Sequence, residues 1–473
     1  MAKTNIIYNV EDKPGWGKTV VFALQQLLAI LAATIAVPAI INNGAGTNMS
    51  QSAALFGAGV GTFVYLLFTK FKSPVFLGSS FAFLGSMFAA FSGAASMAIG
   101  YLGLIIGALL GGLVYVIIAL IVKFVGTKWI DKLMPAVVIG PTVAIIGLSL
   151  ASNAVGDLVK GASYDAANSA WVMNLTGSLS LVCGLVTLLT TILVSVYAKK
   201  FLKMIPFVIG ILAGYAVAAA ITGIGWAAGN DEIKLVNFEL FKDMQWYPRF
   251  TFIEAFNGFK DFNGVGDFFG YFATIAVAYV PVAFVVFAEH IADHKNLSSI
   301  IDRDLLKEPG LHRTLLGDGV GSMAGAFFGG CPNTTYGESV GTVAISGNAS
   351  IRTIVVTAAM AIVLSFVAPF STFLATIPNC VMGGVCIALY GFIAVSGLKM
   401  IQSSDLGDNR NLFVVSVILI AGIGGLKLVY GKITLTAVAC ALVLGIVVNI
   451  LVRIGKNKDQ NAEEQPAEQP KEE

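Results

Sequence analysis

Charged residues are scarce in this chain of 473 residues: Asp, Glu, Lys and Arg together make up only 12% of it. Soluble domains carry about 25% charged residues, whereas 56% of this chain is hydrophobic and its mean hydropathy is +0.83. A soluble globule could not bury so much apolar surface, but a lipid bilayer serves as its solvent. The composition therefore predicts a polytopic membrane protein. The net charge of +2 gives no reason to expect a nucleic-acid partner.

Several site signatures are also missing. The five cysteines form no C-x-x-C pair and are interpreted as buried small hydrophobic residues. His290 and His294 share a helical face, but no H-E-x-x-H motif and no third ligand lie nearby. We therefore expect no metal or other cofactor, and interpret the pair as a polar helix end at the cytoplasmic surface. Segment 1–16 is polar and precedes a long apolar stretch without a cleavage site, which indicates a retained first span.

Apolar stretches of about 20 residues, the length that crosses a bilayer, recur along the whole chain. Three further segments are weaker because Gly, Pro and Ser interrupt them: 76–95, 311–329 and 333–347. Together they predict fourteen spans. The clear stretches are 18–41, 52–69, 100–125, 133–152, 172–197, 201–224, 268–292, 351–371, 378–398, 411–430 and 433–454.

The distribution of positive charge predicts the orientation. With the N-terminus in the cytoplasm, most of the 29 Lys and Arg fall in cytoplasmic segments, and four of the others lie in one external loop, 225–267. We expect an even number of spans in the inner (cytoplasmic) membrane, with both termini inside. The tail 456–473 is rich in Glu, Gln and Pro and is predicted to be disordered.

Two of the weak segments have a similar composition. SPVFLGSSFAFLGS (73–86) and GGCPNTTYGESVG (329–341) both place Pro, Ser or Thr beside aromatic residues in apolar surroundings. Interrupted helices at matching positions of two halves are typical of secondary transporters, whose substrate site lies near the midplane. If the chain is seven spans plus seven, these are the third and the tenth.

Carboxylates inside apolar runs are candidates for function. Glu289 ends PVAFVVFAEH and Glu338 follows NTTYG. A charge at the bilayer centre costs about 2.5–3.5 kcal/mol, so such a residue usually faces a cavity. The alternative is that each glutamate lies at a span end and is solvated. Asp318 fits either role, or could hold its short span against its neighbours.

These segments resemble the uracil permease branch of the nucleobase–ascorbate transporter family. The most specific are PVAFVVFAEHIADH (281–294) and CPNTTYGESVGTVAIS (331–346), and the similarity spreads over 15–455. The other similar segments are LQQLLAILAATIAVP (24–38), LGSSFAF (77–83), LLKEPGLHRTLLGDG (305–319) and VMGGVCIALYG (381–391).

The resemblance implies an all-α polytopic fold of fourteen transmembrane segments in two inverted repeats of seven. Segments 3 and 10 each include a short strand, and the two strands are antiparallel. Relatives of this fold often form homodimers through the gate domain. The implied domains are a core (1–127 and 268–372) and a gate (128–267, which includes the external loop, and 373–455).

The resemblance also implies that the protein imports uracil with a proton by alternating access of the core against the gate, and is not an enzyme. Glu289 and Glu338 would bond the polar edge of the base, while the backbone at Phe81 and Gly337 reaches its carbonyl oxygens. This fits uracil, a flat ring with two N–H donors and two C=O acceptors. Small or aromatic residues matching the pocket are Ala33, Tyr336 and Tyr390.

Proton coupling would involve the same residues, because burial favours the neutral form of a carboxyl. We expect Glu289, with Asp293, to be proton-linked and Glu338 to be the main substrate ligand, although the sequence alone fits either assignment. The chain departs from its relatives at four positions. Asp293 and Gln26 stand where relatives have histidines, and Ser339 and Ser346 stand where relatives often have Asn and Thr.

Four alternatives stay open at this point. A purine permease for xanthine or uric acid would belong to the same family, and a sulfate-type anion transporter would share the fold. A membrane metalloenzyme would use Glu289, His290 and His294. A channel would lack alternating access, which the interrupted helices favour. The coupling ion could also be Na⁺.

Overall fold

The computed structural model describes residues 6–127, 129–130, 134–402, 404–430 and 433–454, and helices dominate them. The predicted disordered tail, 456–473, lies outside the described residues. The helices are α1 (Trp16–Ala45), α2 (Gln51–Phe68), α3 (Leu84–Ser92), α4 (Met97–Val125), α5 (Ala136–Ser149), α6 (Ala151–Leu158), α7 (Leu175–Tyr197), α8 (Pro206–Ala228), α9 (Thr251–Gly258), α10 (Val265–Ile301), α11 (Leu311–Gly329), α12 (Gly337–Ser346), α13 (Ile351–Ser365), α14 (Ala368–Thr376), α15 (Asn379–Ile401), α16 (Asn409–Ile423) and α17 (Ala437–Arg453).

The described helices confirm a multi-pass membrane protein. Eight of them are long and apolar enough to cross a bilayer, counting α5 and α6 as one. A ninth span would consist of α13 and α14, which are bent by 81°. The predicted span over 351–371 is therefore not one continuous helix but a pair of helices with a sharp bend between them. Pro369 lies at the start of α14 and cannot donate a backbone hydrogen bond to the preceding turn, so a new helix begins there.

The strand prediction for segments 3 and 10 is confirmed. β1 (Leu77–Ser79) pairs antiparallel with β4 (Asn333–Thr335), and Gly78 lies opposite Thr334. Gly78 must lack a side chain here, because a Cβ would collide with the ring of Tyr336. The Tyr336 hydroxyl in turn donates to the Ser79 carbonyl at 2.8 Å. The two segments are thus locked together by backbone pairing and by one aromatic side chain.

Two hairpins were not expected from the sequence: β2 (Ser163–Asp165) with β3 (Ala170–Val172), and β5 (Leu428–Tyr430) with β6 (Ile433–Leu435). The β5–β6 hairpin corrects the predicted span 411–430, because residues 428–430 form a strand instead of the end of a helix. Helix α16 ends at Ile423, where Gly424 and Gly425 follow. Gly425 has a φ of +70°, a conformation that favours glycine and ends helices.

Helices α2 and α11 approach each other through glycines. A Cβ on Gly61 would lie 2.7 Å from the Gly321 carbonyl oxygen, and a Cβ on Gly321 would lie 2.7 Å from that of Gly61. Small residues allow such backbone contact between membrane helices. This close packing fixes α11, and with it Asp318, against the rest of the bundle.

Ion pairs join several segments at one face of the bundle, which we call the near face; the opposite face is the far face. Arg303, which follows α10, contacts both Glu11 and Glu308, and Glu308 also contacts Lys72. The neighbouring lysine lowers the pKa of the exposed Glu308 carboxyl. The N-terminal segment is therefore tied to the loops before β1 and before α11.

Candidate functional site

A cavity of about 360 Å³ lies between α10, α12 and the helices α5, α7, α8 and α15. We call it the near cavity, because Lys203, from the near-face turn before α8, lines it. Glu289, Asp293 and Glu338 also line it, together with the backbone of Gly337. The structure thus brings four of the predicted site residues to one space. The opposite wall includes Val143, Ser195, Phe207, Phe392 and Ser396.

Helical spacing explains why two of the three carboxylates face the same cavity. Glu289 and Asp293 are four residues apart on α10 and so share a face. Helix α10 continues to Ile301, about three turns beyond Glu289. Glu289 is therefore not at a helix end, as one interpretation of the sequence allowed. It is half-buried and faces the cavity.

Asp293 is held by the strand that precedes α12. The Thr335 hydroxyl donates to Asp293 Oδ2 at 2.9 Å. A Cβ on Gly337 would lie 3.8 Å from Asp293 Oδ1, so this carboxylate lies against the start of α12. The contact fixes α10 relative to the β1–β4 pair.

Glu338 reaches the cavity from the first turn of α12. The partial positive charge of a helix N-terminus favours a carboxylate there. The next residue, Ser339, is buried, and its hydroxyl accepts from the Phe76 amide at 3.1 Å and from Gln26 Nε2 at 2.5 Å. Two of the four departures from the family pattern, Gln26 and Ser339, therefore contact each other directly.

The other predicted site residues lie on the far side of this cavity. Phe81 lines a second cavity of about 570 Å³, which we call the far cavity. Its ring meets the ring of Tyr390 edge to face, with centroids 5.8 Å apart. Ala33, Tyr336 and Tyr390 are buried and line neither cavity. The structure thus brings Phe81 and Tyr390 together but places neither of them in the near cavity.

The interpretation of His290 and His294 as a polar surface end was wrong, since both side chains are fully buried. His290 Nδ1 lies 2.7 Å from Asp318 Oδ2, and its Nε2 lies 3.0 Å from the Thr314 hydroxyl. His294 Nε2 lies 2.7 Å from the Tyr65 hydroxyl. The two rings stack with centroids 4.1 Å apart. This face of α10 therefore binds α2 and α11, while the adjacent face, about 100° around the helix axis, carries the cavity carboxylates.

Asp318→Ala should destabilise the protein by about 3–5 kcal/mol, because it leaves His290 buried without its carboxylate partner. Replacing both members by apolar residues, in His290→Phe/Asp318→Leu, should cost less than the single change. Denaturant titration of the purified protein in detergent measures the free energy of unfolding of both variants. If the double variant is as unstable as Asp318→Ala, the unpaired His290 is not the cause of the lost stability.

The described residues give no support to a metalloenzyme. Among them, no group of three His, Cys, Asp or Glu side chains is placed to hold a metal ion. His290 and His294 direct their ring nitrogens to protein partners. Glu289 lies on the adjacent face of the helix and lines the cavity.

The near cavity suits a flat polar ring. Carboxylates accept hydrogen bonds from ring N–H groups, and amides at the start of α12 donate to carbonyl oxygens. Phe207 and Phe392 on the opposite wall supply aromatic surface. Three carboxylates against one lysine make a poor site for an anion. No motif marked the residues of this wall; Ser195 and Ser396, hydroxyls within apolar runs, were the only local signals among them.

Comparisons with known proteins show the family to which the chain belongs. Residues 17–431 match the permease family. The chain is 37% identical over 446 residues to the uracil permease of Bacillus caldolyticus, and the match covers 93% of each chain. It is 37% identical to the uracil permease of Bacillus subtilis, covering 94% of this chain and 95% of that one. It is 33% identical to the uracil permease of Escherichia coli K12, covering 92% of each.

Solved structures share the fold at much lower identity. The transmembrane domain of a cyanobacterium bicarbonate transporter, BicA, is 14% identical and superposes with a TM-score of 0.58, covering 90% of this chain and 96% of that one. The murine anion transporter Slc26a9 in its inward-facing state is 12% identical with a TM-score of 0.63, covering 94% of this chain and 69% of that one. These matches show a membrane transporter fold and nothing about the substrate.

Proposed function

We propose that this chain, which belongs to the permease family and within it to the uracil permeases, imports uracil together with a proton. Its relatives are named permeases, so the chain is a transporter and not an enzyme. One observation carries the proposal for the site: Glu289, Glu338 and the Gly337 backbone face a single cavity of about 360 Å³. The carboxylate acceptors for the ring N–H groups and a backbone amide donor for the ring carbonyl oxygens are therefore present in one cavity.

In the proposed pose, Glu338 accepts from a ring N–H while the amide at Gly337 donates to the adjacent carbonyl. Glu289 accepts from the second N–H or holds the transported proton. A base that left either carboxylate unpaired would lose affinity, because an unsatisfied buried acceptor is costly. Phe81 and Tyr390 would close the substrate from the far side, and Ala33 would let the ring lie close to α1.

Transport would proceed by movement of a core, 1–127 and 268–372, against a gate, 128–267 and 373–455. Fourteen segments in two inverted repeats of seven would give this architecture. The support is the β1–β4 pair: β1 follows α1 and α2 and precedes the short helix α3, and β4 follows α10 and α11 and precedes the short helix α12. The gate would also carry a homodimer contact.

Protons would be taken up by the Glu289–Asp293 face of α10. Burial disfavours the charged form of a carboxyl, so a proton bound there would let the loaded core move through an apolar surrounding. In this proposal the near face is the cytoplasmic face of the inner membrane, and both termini lie in the cytoplasm. The distribution of Lys and Arg favours this orientation.

Uptake of labelled uracil into proteoliposomes that contain the wild-type protein tests the function. We expect accumulation with an inward proton gradient, only slow equilibration without it, and no stimulation by a Na⁺ gradient. Unlabelled uracil should compete, whereas xanthine, uric acid and sulfate should not. Folded protein that takes up xanthine but not uracil would instead establish the purine alternative.

A further inference from the structure

A polar bridge joins the proposed core to the proposed gate at the far face. Asn43, near the end of α1, donates through its Nδ2 to Asp157 Oδ1 of α6. Its Oδ1 accepts from Lys160 Nζ at 2.7 Å and from Asn379 Nδ2, at the start of α15, at 3.0 Å. One core residue is thus bound at both ends of its amide by three gate residues.

The bridge and the near cavity lie on opposite sides of the proposed substrate site. Along α1, Ala29 lines the near cavity, Ala33 belongs to the predicted site, and Asn43 follows about 15 Å further along the axis. Along α15 the order runs from Ser396 in the near cavity, through Tyr390, to Asn379. Along one helix of the core and one helix of the gate, the near cavity, the predicted substrate site and the bridge therefore follow one another in the same order.

We propose that the Asn43 bridge is the far-side latch of the transport cycle, which holds the core against the gate while the carboxylate cavity is open to the near face. This rests on the proposed transport function. To admit substrate from the far side, the core must move away from the gate, and all three contacts of Asn43 must break together. No separate rearrangement within either domain is needed.

The chemistry of the bridge suits a contact that forms and breaks in every cycle. Asn43 and Asn379 are half-buried and Lys160 is exposed, so water can replace these groups when they separate. Asp157 is buried, but Lys160 lies on the same domain and stays near its carboxylate after Asn43 leaves. Asn43 is also uncharged, so no unpaired ion is left on the core when it moves. The far cavity lies beside the bridge and shares Gly44 and Asn153 with the space around it.

Crosslinking tests the latch directly. In Asn43→Cys/Asn379→Cys, a short thiol crosslinker should join the two positions and stop uracil uptake, which cleavage of the linker should restore. The wild type and the single variant Asn43→Cys are controls for reaction at the native cysteines, which are buried. Asn42→Cys/Thr47→Cys, a contact within the core at the same face, should crosslink without stopping uptake.

Uptake that continues after complete crosslinking of positions 43 and 379 would overturn the latch, as would failure of these positions to crosslink. Wild-type protein that never takes up uracil would contradict the proposed function instead. The labelling experiment described next needs no substrate and separates the two failures.

A thiol at Ala89 reports on opening of the far side, because Ala89 is 6% exposed and lines the far cavity. In full-length Ala89→Cys in detergent, adding Asn43→Ala should raise the rate of maleimide labelling at least about fivefold, the shift expected from losing even one of the three hydrogen bonds of Asn43. Adding Asn48→Ala, at an exposed position just beyond α1, should leave the rate unchanged. Equal rates for Asn43→Ala and Asn48→Ala would mean that the bridge does not hold the far side closed.

Discussion

Glu338→Gln is expected to reduce uracil uptake by about 10- to 100-fold at every pH. The carboxylate lies in the first turn of α12 and faces the near cavity, where it would accept a hydrogen bond from the base. Hydrogen bonds to charged groups are worth about 1.5–3 kcal/mol, and 1.4 kcal/mol is a tenfold change in binding. Glutamine keeps the size of the side chain but replaces one acceptor oxygen with a donor, which would oppose the N–H of uracil.

The measurement is initial-rate uptake in proteoliposomes, together with uracil binding to the purified protein. Binding should weaken as much as uptake falls, because the lost contact is to the substrate. Glu239→Gln, at an exposed glutamate in the 225–267 loop, is the matched control and should transport normally. A Glu338→Gln variant that binds uracil with unchanged affinity would remove Glu338 from the substrate site.

The carboxylates of the site could be found from the sequence because charges within apolar runs are rare. Glu289 and Glu338 stood out on that ground, whereas Asp293 was singled out by the family resemblance, at a position where relatives have a histidine. Thr335, which fixes Asp293, could not be found in this way, since it lies 42 residues away and reaches the carboxylate only through the β1–β4 pair. Long-range packing, rather than local pattern, assembled the site.

The same limit explains the error at His290 and His294. Asp293 and Lys295 lie beside them in the sequence and suggested a surface. Their actual partners are Asp318, 28 residues away, and Tyr65, 229 residues away. A polar residue on a membrane helix is therefore placed by what the neighbouring helices offer, which a local pattern cannot show.

The limits of spans were predicted less well than their existence. The wall of the near cavity that α5, α7, α8 and α15 form carried no motif, and the bend between α13 and α14 interrupted what was predicted as one apolar stretch. Pro369 was visible in the sequence, but proline is also tolerated inside membrane helices, as Pro38 and Pro281 are within α1 and α10. Whether a proline breaks a span depends on which neighbours satisfy the freed backbone groups.

Glu289→Gln is expected to separate substrate movement from the proton. The variant should no longer concentrate uracil in response to an inward proton gradient, but it should still exchange labelled for unlabelled uracil across the membrane. Glutamine imitates the protonated carboxyl, being neutral and of similar shape, so the core should move whether or not a proton is present. Exchange should also become independent of pH over the range in which wild-type uptake varies.

Counterflow and gradient-driven uptake, measured on the same proteoliposomes, distinguish the roles of the three carboxylates. Asp293→Asn is the matched control on the same face of α10: it keeps an acceptor oxygen for the Thr335 hydroxyl and should retain gradient-driven uptake at a lower rate. If Asp293→Asn loses coupling while Glu289→Gln keeps it, the proton is carried by Asp293, the residue that stands here in place of the family's histidine. If Glu289→Gln instead loses exchange along with uptake, Glu289 is a substrate ligand, and its role is that assigned here to Glu338.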